Sequence, residues 1–180
     1  MIGRVALAYA ALALSHGHAI ANEHAGVASF DVLLGAWQAR QRSLQADGTT
    51  WVDAPHPARW NFYRILDGAA VQDDWIAPSP DVPLVDGGTR FRGTNLRSYD
   101  PGTDTWHCIW ISSAQAAPRR FSATWRDGTF VMTAIDTPQP RRNIFSDITA
   151  SSFRWRQEWS FDGGASWTPV AYIEATRVKN

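Results

Sequence analysis

Cysteine is all but missing from this chain of 180 residues: Cys108 stands alone. No intramolecular disulfide can form, so stability has to come from a packed core. Lysine is equally scarce, with Lys179 its single representative. There is no surplus of charge either. Lys+Arg and Asp+Glu both number 17, which argues against the one-signed surface that a nucleic-acid binder or a polybasic membrane-surface protein needs. Apart from His16-Gly17-His18 near the N-terminus, metal-ligand spacing is absent: no other His-x-His and no Cys-x-x-Cys occurs, and no two of His24, His56 and His107 share ligand spacing. His107, the one candidate for haem ligation, has no histidine on the last strands to accompany it. No metal and no cofactor are expected. A Gly-x-Ser-x-Gly nucleophile elbow is missing, and Cys108, flanked at alternate positions by Trp106 and Trp110, reads as an inert buried thiol.

What the chain has in excess is tryptophan, 10 residues of it. Trp brings a large apolar surface and an N–H that seeks a partner. Three uses compete: β-core filler, the lining of a ligand cavity, and exposed sugar-stacking platforms. The length suits one domain with a real core.

The N-terminus reads as a targeting segment. Met1 to Arg4 is a short positive stretch, Val5 to Leu14 an unbroken apolar run, and Ala19-Ile20-Ala21 a small-x-small cleavage pattern. The apolar run falls well short of the roughly 20 residues needed to span a bilayer. Residues 1–21 are therefore expected to be a signal peptide and residues 22–180 the mature domain, released to the periplasm or secreted, with no membrane span left.

Beyond that point sustained helical periodicity is lacking, apart from a turn or two at 29–34 where Ser29 and Asp31 suit caps. Short β-rich runs alternate instead with Gly, Pro and Asp punctuation about every 8–12 residues. Ten strands are predicted, near 36–45, 58–66, 69–77, 89–99, 105–113, 119–126, 129–136, 142–149, 152–161 and 167–177, with loops at 45–57 and 77–88. The fold class is all-β: an antiparallel up-and-down barrel of about ten strands.

Two hairpins can be registered from the sequence by the cleanness of their faces, and a third breaks that tidy segregation. Folding on Asp127-Gly128, a type I′ signal, pairs Trp125 with Phe130, Ala123 with Met132 and Phe121 with Ala134, making one face wholly apolar. Around Asp162-Gly163-Gly164, pairing Phe161 with Trp167 aligns Trp159/Pro169, Gln157/Ala171, Trp155/Ile173 and Phe153/Ala175. The opposite face then carries Arg154/Glu174, a surface ion pair. The third hairpin, Leu96–Ile109, pairs Tyr99 with Trp106, Arg97 with Cys108 and Asn95 with Trp110. Neither of its faces is cleanly polar, and a buried Arg is costly unless paired.

The segment from Phe30 to Trp37 ends in Gly35-Ala36-Trp37, which resembles the opening motif of lipocalins and the wider calycin superfamily. That resemblance implies that Trp37 closes one end of the barrel and that Arg177, from the last strand, packs across it. The rest of the mature chain is similar to bacterial lipocalin-like proteins of unknown function, through Leu96-Arg97-Ser98-Tyr99-Asp100-Pro101, the Trp106 to Trp110 spacing, and Asp162-Gly163-Gly164 followed by Trp167. Only one or two of the three short blocks of true lipocalins are present and no disulfide is available, so lipocalin ligands such as retinoids do not carry over.

These readings converge on a mixed-polarity interior. Arg97, Asn95, Tyr99, Trp106, Trp110, Trp155 and Gln157 are the candidate ligand-binding residues, since a mainly aromatic pocket with a few placed polar groups is what a small-molecule site needs. Arg97 either fixes an anionic oxygen of the ligand or is tied to a core carbonyl or carboxylate and holds the barrel shut. Asp73-Asp74 points to opposite faces of one strand and reads as a solvated edge rather than a catalytic dyad. The leading expectation is binding of a small, largely apolar molecule with an acidic or carbonyl head. An isomerase, cyclase or hydrolase using Arg97 as electrophile and Tyr99 as acid/base is ranked behind it. A carbohydrate or envelope-binding module comes third.

Overall fold

The computed structural model describes residues 26–85 and 87–179; the expected signal peptide and His24 lie outside the described residues. Eleven antiparallel strands follow one another: β1 (Gly35–Leu44), β2 (Trp51–Asp53), β3 (Ala58–Ile65), β4 (Ala70–Ala77), β5 (Phe91–Asp100), β6 (Thr105–Ser112), β7 (Arg119–Arg126), β8 (Thr129–Ala134), β9 (Arg141–Ser146), β10 (Ser152–Trp159) and β11 (Thr168–Arg177). From β3 onward each strand pairs with the next, and β1 pairs with both β3 and β11, closing a barrel of ten strands with β2 outside it.

Alternation decides which side chains enter the barrel. In β7, Phe121 and Ala123 are buried while Arg120 and Arg126 are exposed, the period of two that a half-buried strand imposes. The β7–β8 hairpin has the predicted register, with Trp125 opposite Phe130 and Phe121 opposite Ala134. Its turn residues Asp127 (φ 49°) and Gly128 (φ 73°) both lie in the left-handed region that a type I′ turn demands. The β5–β6 register also agrees, from Asn95/Trp110 to Tyr99/Trp106.

The last hairpin departs from expectation near its turn. Phe153/Ala175, Trp155/Ile173 and Gln157/Ala171 pair as predicted, but Glu158 then faces Pro169 and Trp159 faces Thr168. The expected pairing of Trp159 with Pro169 is thus displaced by one residue. Pro169 has no N–H to give the ladder, and Val170 becomes the extra residue of a β-bulge. A second difference is β2, in a stretch read as loop. Asp47 accepts from the Thr49 and Thr50 N–H groups (2.9 and 2.8 Å), turning the chain so that Trp51–Asp53 pairs with Arg42–Leu44 of β1.

One end of the barrel is plugged. Residues Ala28–Leu33 form a 3-10 helix that carries Phe30 into the core, edge-on to Trp106, Trp125 and Phe130 at centroid distances of 4.8, 5.5 and 4.8 Å. Burying each such ring contributes about 1.5–3 kcal/mol. Trp37 seals the same end: its indole N–H donates to the Leu33 carbonyl at 2.7 Å and its ring lies 4.1 Å from the Arg177 guanidinium. Arg177 in turn donates to the carbonyls of Leu34 (2.5 Å), Val32 (2.7 Å) and Ala150. The Trp37–Arg177 latch is therefore in place, and it ties the plug to the last strand.

Candidate functional site

Opposite the plug the barrel opens on a cavity of 370 Å³. All ten barrel strands contribute to its lining, among them the second half of β1, the end of β6 and the starts of β7 and β9. The walls are aromatic, with Trp60, Trp75, Trp110, Trp155 and Trp159 beside Phe121 and Phe145. The six-membered ring of Trp110 packs against Gly93, where a Cβ would come within 2.2 Å of the indole; only glycine leaves room for the ring in that position.

The floor is ionic. Asp73 and Arg97 are 0% and 1% exposed, and the Arg97 Nη1 donates to Asp73 Oδ2. The second carboxylate oxygen accepts from the Trp60 indole N–H at 2.7 Å. Burial pushes the Asp73 carboxyl up, and the Arg97 charge and the Trp60 N–H draw it back part of the way. The guanidinium also sits 5.3 Å from the Phe30 ring and 5.8 and 5.9 Å from those of Phe62 and Phe145, so it is packed between plug and cavity. Asp73 is thus no solvated edge. Val71, Asp73 and Trp75 share the inward face of β4, whereas Asp74 points outward and accepts from the Tyr63 hydroxyl at 2.8 Å.

The middle of the wall carries amides. Gln157 Nε2 donates to Asn143 Oδ1 at 3.2 Å, and Trp159 Nε1 donates to Gln157 Oε1 at 3.3 Å. Asn95 is buried with no partner for its side-chain oxygen. Arg119 and Arg141 complete the lining.

Of the residues singled out from sequence, the structure brings Asn95, Arg97, Trp110, Trp155 and Gln157 together around this cavity. It does not bring Tyr99 or Trp106 there. Trp106 packs on Phe30 in the plugged end, and Tyr99 lies on Trp106 at 5.3 Å with its hydroxyl donating to Asp104 at 2.9 Å. That hydrogen bond to a carboxylate raises the Tyr99 phenol above its ordinary range. Asp73, Trp60, Trp75, Asn143, Arg119 and Arg141 were not anticipated. For Asp73 the signal existed in the alternation Val71-x-Asp73-x-Trp75; for the arginines only the closed barrel reveals which side they face.

Cys108 is buried behind Arg97, and burial pushes its thiol up to about 12. Among the described residues no group of three His, Cys, Asp or Glu is placed to hold a metal, and no helix is long and apolar enough to cross a membrane. A wider concavity of 590 Å³ on the outer wall is lined by charged side chains, some of them paired, such as Arg154 with Asp147 at 3.4 Å and Glu174 at 4.0 Å.

Fold and cavity together define a lipocalin-like β-barrel. Two of the solved structures that share this fold are the following. Rv2717c from M. tuberculosis superposes with a TM-score of 0.57 at 9% identity, over 86% of this chain and 98% of that one. The S-type phycobiliprotein lyase CPES from Guillardia theta does so with a TM-score of 0.52 at 11% identity, over 84% and 91%. At such identities the likeness is one of fold alone. No protein-family model and no curated sequence matches the chain.

Proposed function

We propose that the barrel binds a small, largely apolar molecule with an acidic or carbonyl head group, after export to the periplasm or the medium. The observation that carries this reading is the cavity itself: its 370 Å³ lies within the range of about 300–1,000 Å³ common to small-molecule sites, and aromatic walls surround a few polar groups. Export rests on the Met1 to Ala21 pattern. That one of these neighbours is a phycobiliprotein lyase is compatible with a small-molecule role, although function resides in sites rather than folds.

The ranked alternatives gain less. The minimal catalytic apparatus of Arg97 and Tyr99 is not assembled, because Arg97 is bound to Asp73 and Tyr99 sits at the other end of the barrel. All ten Trp are buried or partly buried, which disfavours an open sugar-stacking platform.

Native mass spectrometry of the full chain purified from an exporting host tests the proposal. A small non-covalent mass is expected on the wild type and not on Gln157→Trp, which fills the cavity; a thermal melt shows that the variant is folded. A bare wild-type mass, together with Trp fluorescence indifferent to apolar ligands, would overturn it.

A further inference from the structure

Two arginine doublets stand at the mouth of the cavity. Pro118-Arg119-Arg120 opens β7 and Pro140-Arg141-Arg142 opens β9. Strand alternation sends one guanidinium of each doublet outward and the other inward. The outward members have carboxylate partners: Arg120 lies 3.7 Å from Asp136, and Arg142 lies 2.5 Å from Glu158. The inward members, Arg119 and Arg141, line the cavity, and neither takes part in any ion pair among the described residues.

Their placement brings two like charges to bear on one volume. A single strand, β8, separates β7 from β9, which puts the two backbones about 10 Å apart. Arg141 is fixed by an Nη2 hydrogen bond to Thr137 Oγ1 at 3.2 Å and by its position 5.2 Å from the Trp159 ring. Its Nε is buried without a partner. Desolvation, and after it the Arg119 charge, holds the Arg141 guanidinium below its ordinary range. Two guanidiniums that line one aromatic cavity and feel one another's charge repel, and an anion placed between them relieves that repulsion. At the floor the situation is reversed, because Asp73 already neutralises Arg97.

We infer that Arg119 and Arg141 form a two-armed clamp for the carboxylate of an amphipathic ligand whose apolar body lies among the cavity tryptophans. This rests on the small-molecule reading above and sharpens it twice. The head sits at the mouth rather than on the floor, and it is an anionic carboxylate rather than a neutral carbonyl. Guanidinium forks suit that group through paired N–H donors.

Tryptophan-fluorescence titrations of the full chain with naphthylacetate and naphthylethanol separate head from body, since the two probes share one aromatic scaffold. The carboxylate is expected to bind about 10- to 100-fold tighter than the alcohol at low salt, and the preference should shrink as salt rises. In Arg119→Gln/Arg141→Gln the carboxylate should fall to the affinity of the alcohol. The Lys/Lys counterpart, which keeps charge without the fork, should retain part of the preference. Thermal melts establish that both variants fold. Equal wild-type affinities for the two probes, or a preference that survives the double Gln variant, would overturn the clamp while leaving the cavity reading intact. Failure of both probes to bind the wild type would overturn both.

Discussion

Replacing Arg97 by Met probes the buried ion pair at the cavity floor. Met nearly preserves the volume and removes the charge, leaving Asp73 with the Trp60 N–H and no cation. Breaking one partner of a buried pair costs about 3–5 kcal/mol, which for a domain of this size lowers the melting temperature by about 6–20 °C. The loss should depend on pH in a defined direction. Burial already holds the Asp73 carboxyl above its ordinary value, with Arg97 as the largest opposing influence. Without Arg97 the folded-state value rises further. A carboxyl raised in the folded state contributes stability that is complete below the unfolded value and is lost as pH climbs through the folded one. Urea titrations followed by Trp fluorescence should therefore find the variant less destabilised, relative to wild type, near pH 5 than near pH 8, approaching a slope of about 1.4 kcal/mol per pH unit. Adding Asp73→Leu should restore most of the lost stability, because two apolar groups replace a desolvated pair. A cost below about 1 kcal/mol for Arg97→Met, or the same cost at both pH values, would refute the reasoning.

Other consequences are more direct. Phe30→Ala removes the ring that seals the plugged end and should cost about 3–5 kcal/mol, measured as a fall in the urea midpoint, with Phe30→Leu recovering much of it. Cys108, buried and with its thiol pushed up to about 12, should resist a thiol-reactive disulfide reagent near pH 8 in the native state and react fully once the chain is unfolded. Gly128→Val places a β-branched residue at a φ of 73° and should cost about 1–2 kcal/mol, read from thermal melts. Gly93→Ala drives a methyl into the Trp110 indole, so the emission of the folded protein should change even where its stability barely does.

How far the chain could be read without its structure differed by level. Strand registers were legible because a slip of one residue carries an apolar set to the wrong face; hence Trp125/Phe130 and Trp155/Ile173 were recoverable from pattern alone. The bulge at Gln157/Glu158 was not, since it depends on the missing N–H of Pro169 meeting a particular rung. Strand β2 escaped because three residues carry no periodicity. At the site, Arg97 drew notice as a charge among aromatics, but its partner Asp73 lies 24 residues away and faces Asn95 rather than Arg97 across the β4–β5 pair. Tyr99 and Trp106 share the inward face with Asn95 and Trp110, and only the plug, contributed by Phe30, divides that face into a filled end and an open one.

The seam between β1 and β11 has a consequence for how the molecule is made. Seven residue pairs, from Trp37/Arg177 to Ser43/Ala171, join the first strand of the barrel to the last. During folding the meander from β3 to β10 can form rung by rung, yet β1 keeps one unpaired edge until the final strand docks. Edges of that kind invite pairing with other chains, and contacts so distant in sequence form slowly. The Arg177 bonds to Val32, Leu34 and Ala150 form with that closure. A chain cut a few residues before Arg177 would thus forfeit the plug's anchorage along with a strand end, and its fate would be set by aggregation before any ligand is met.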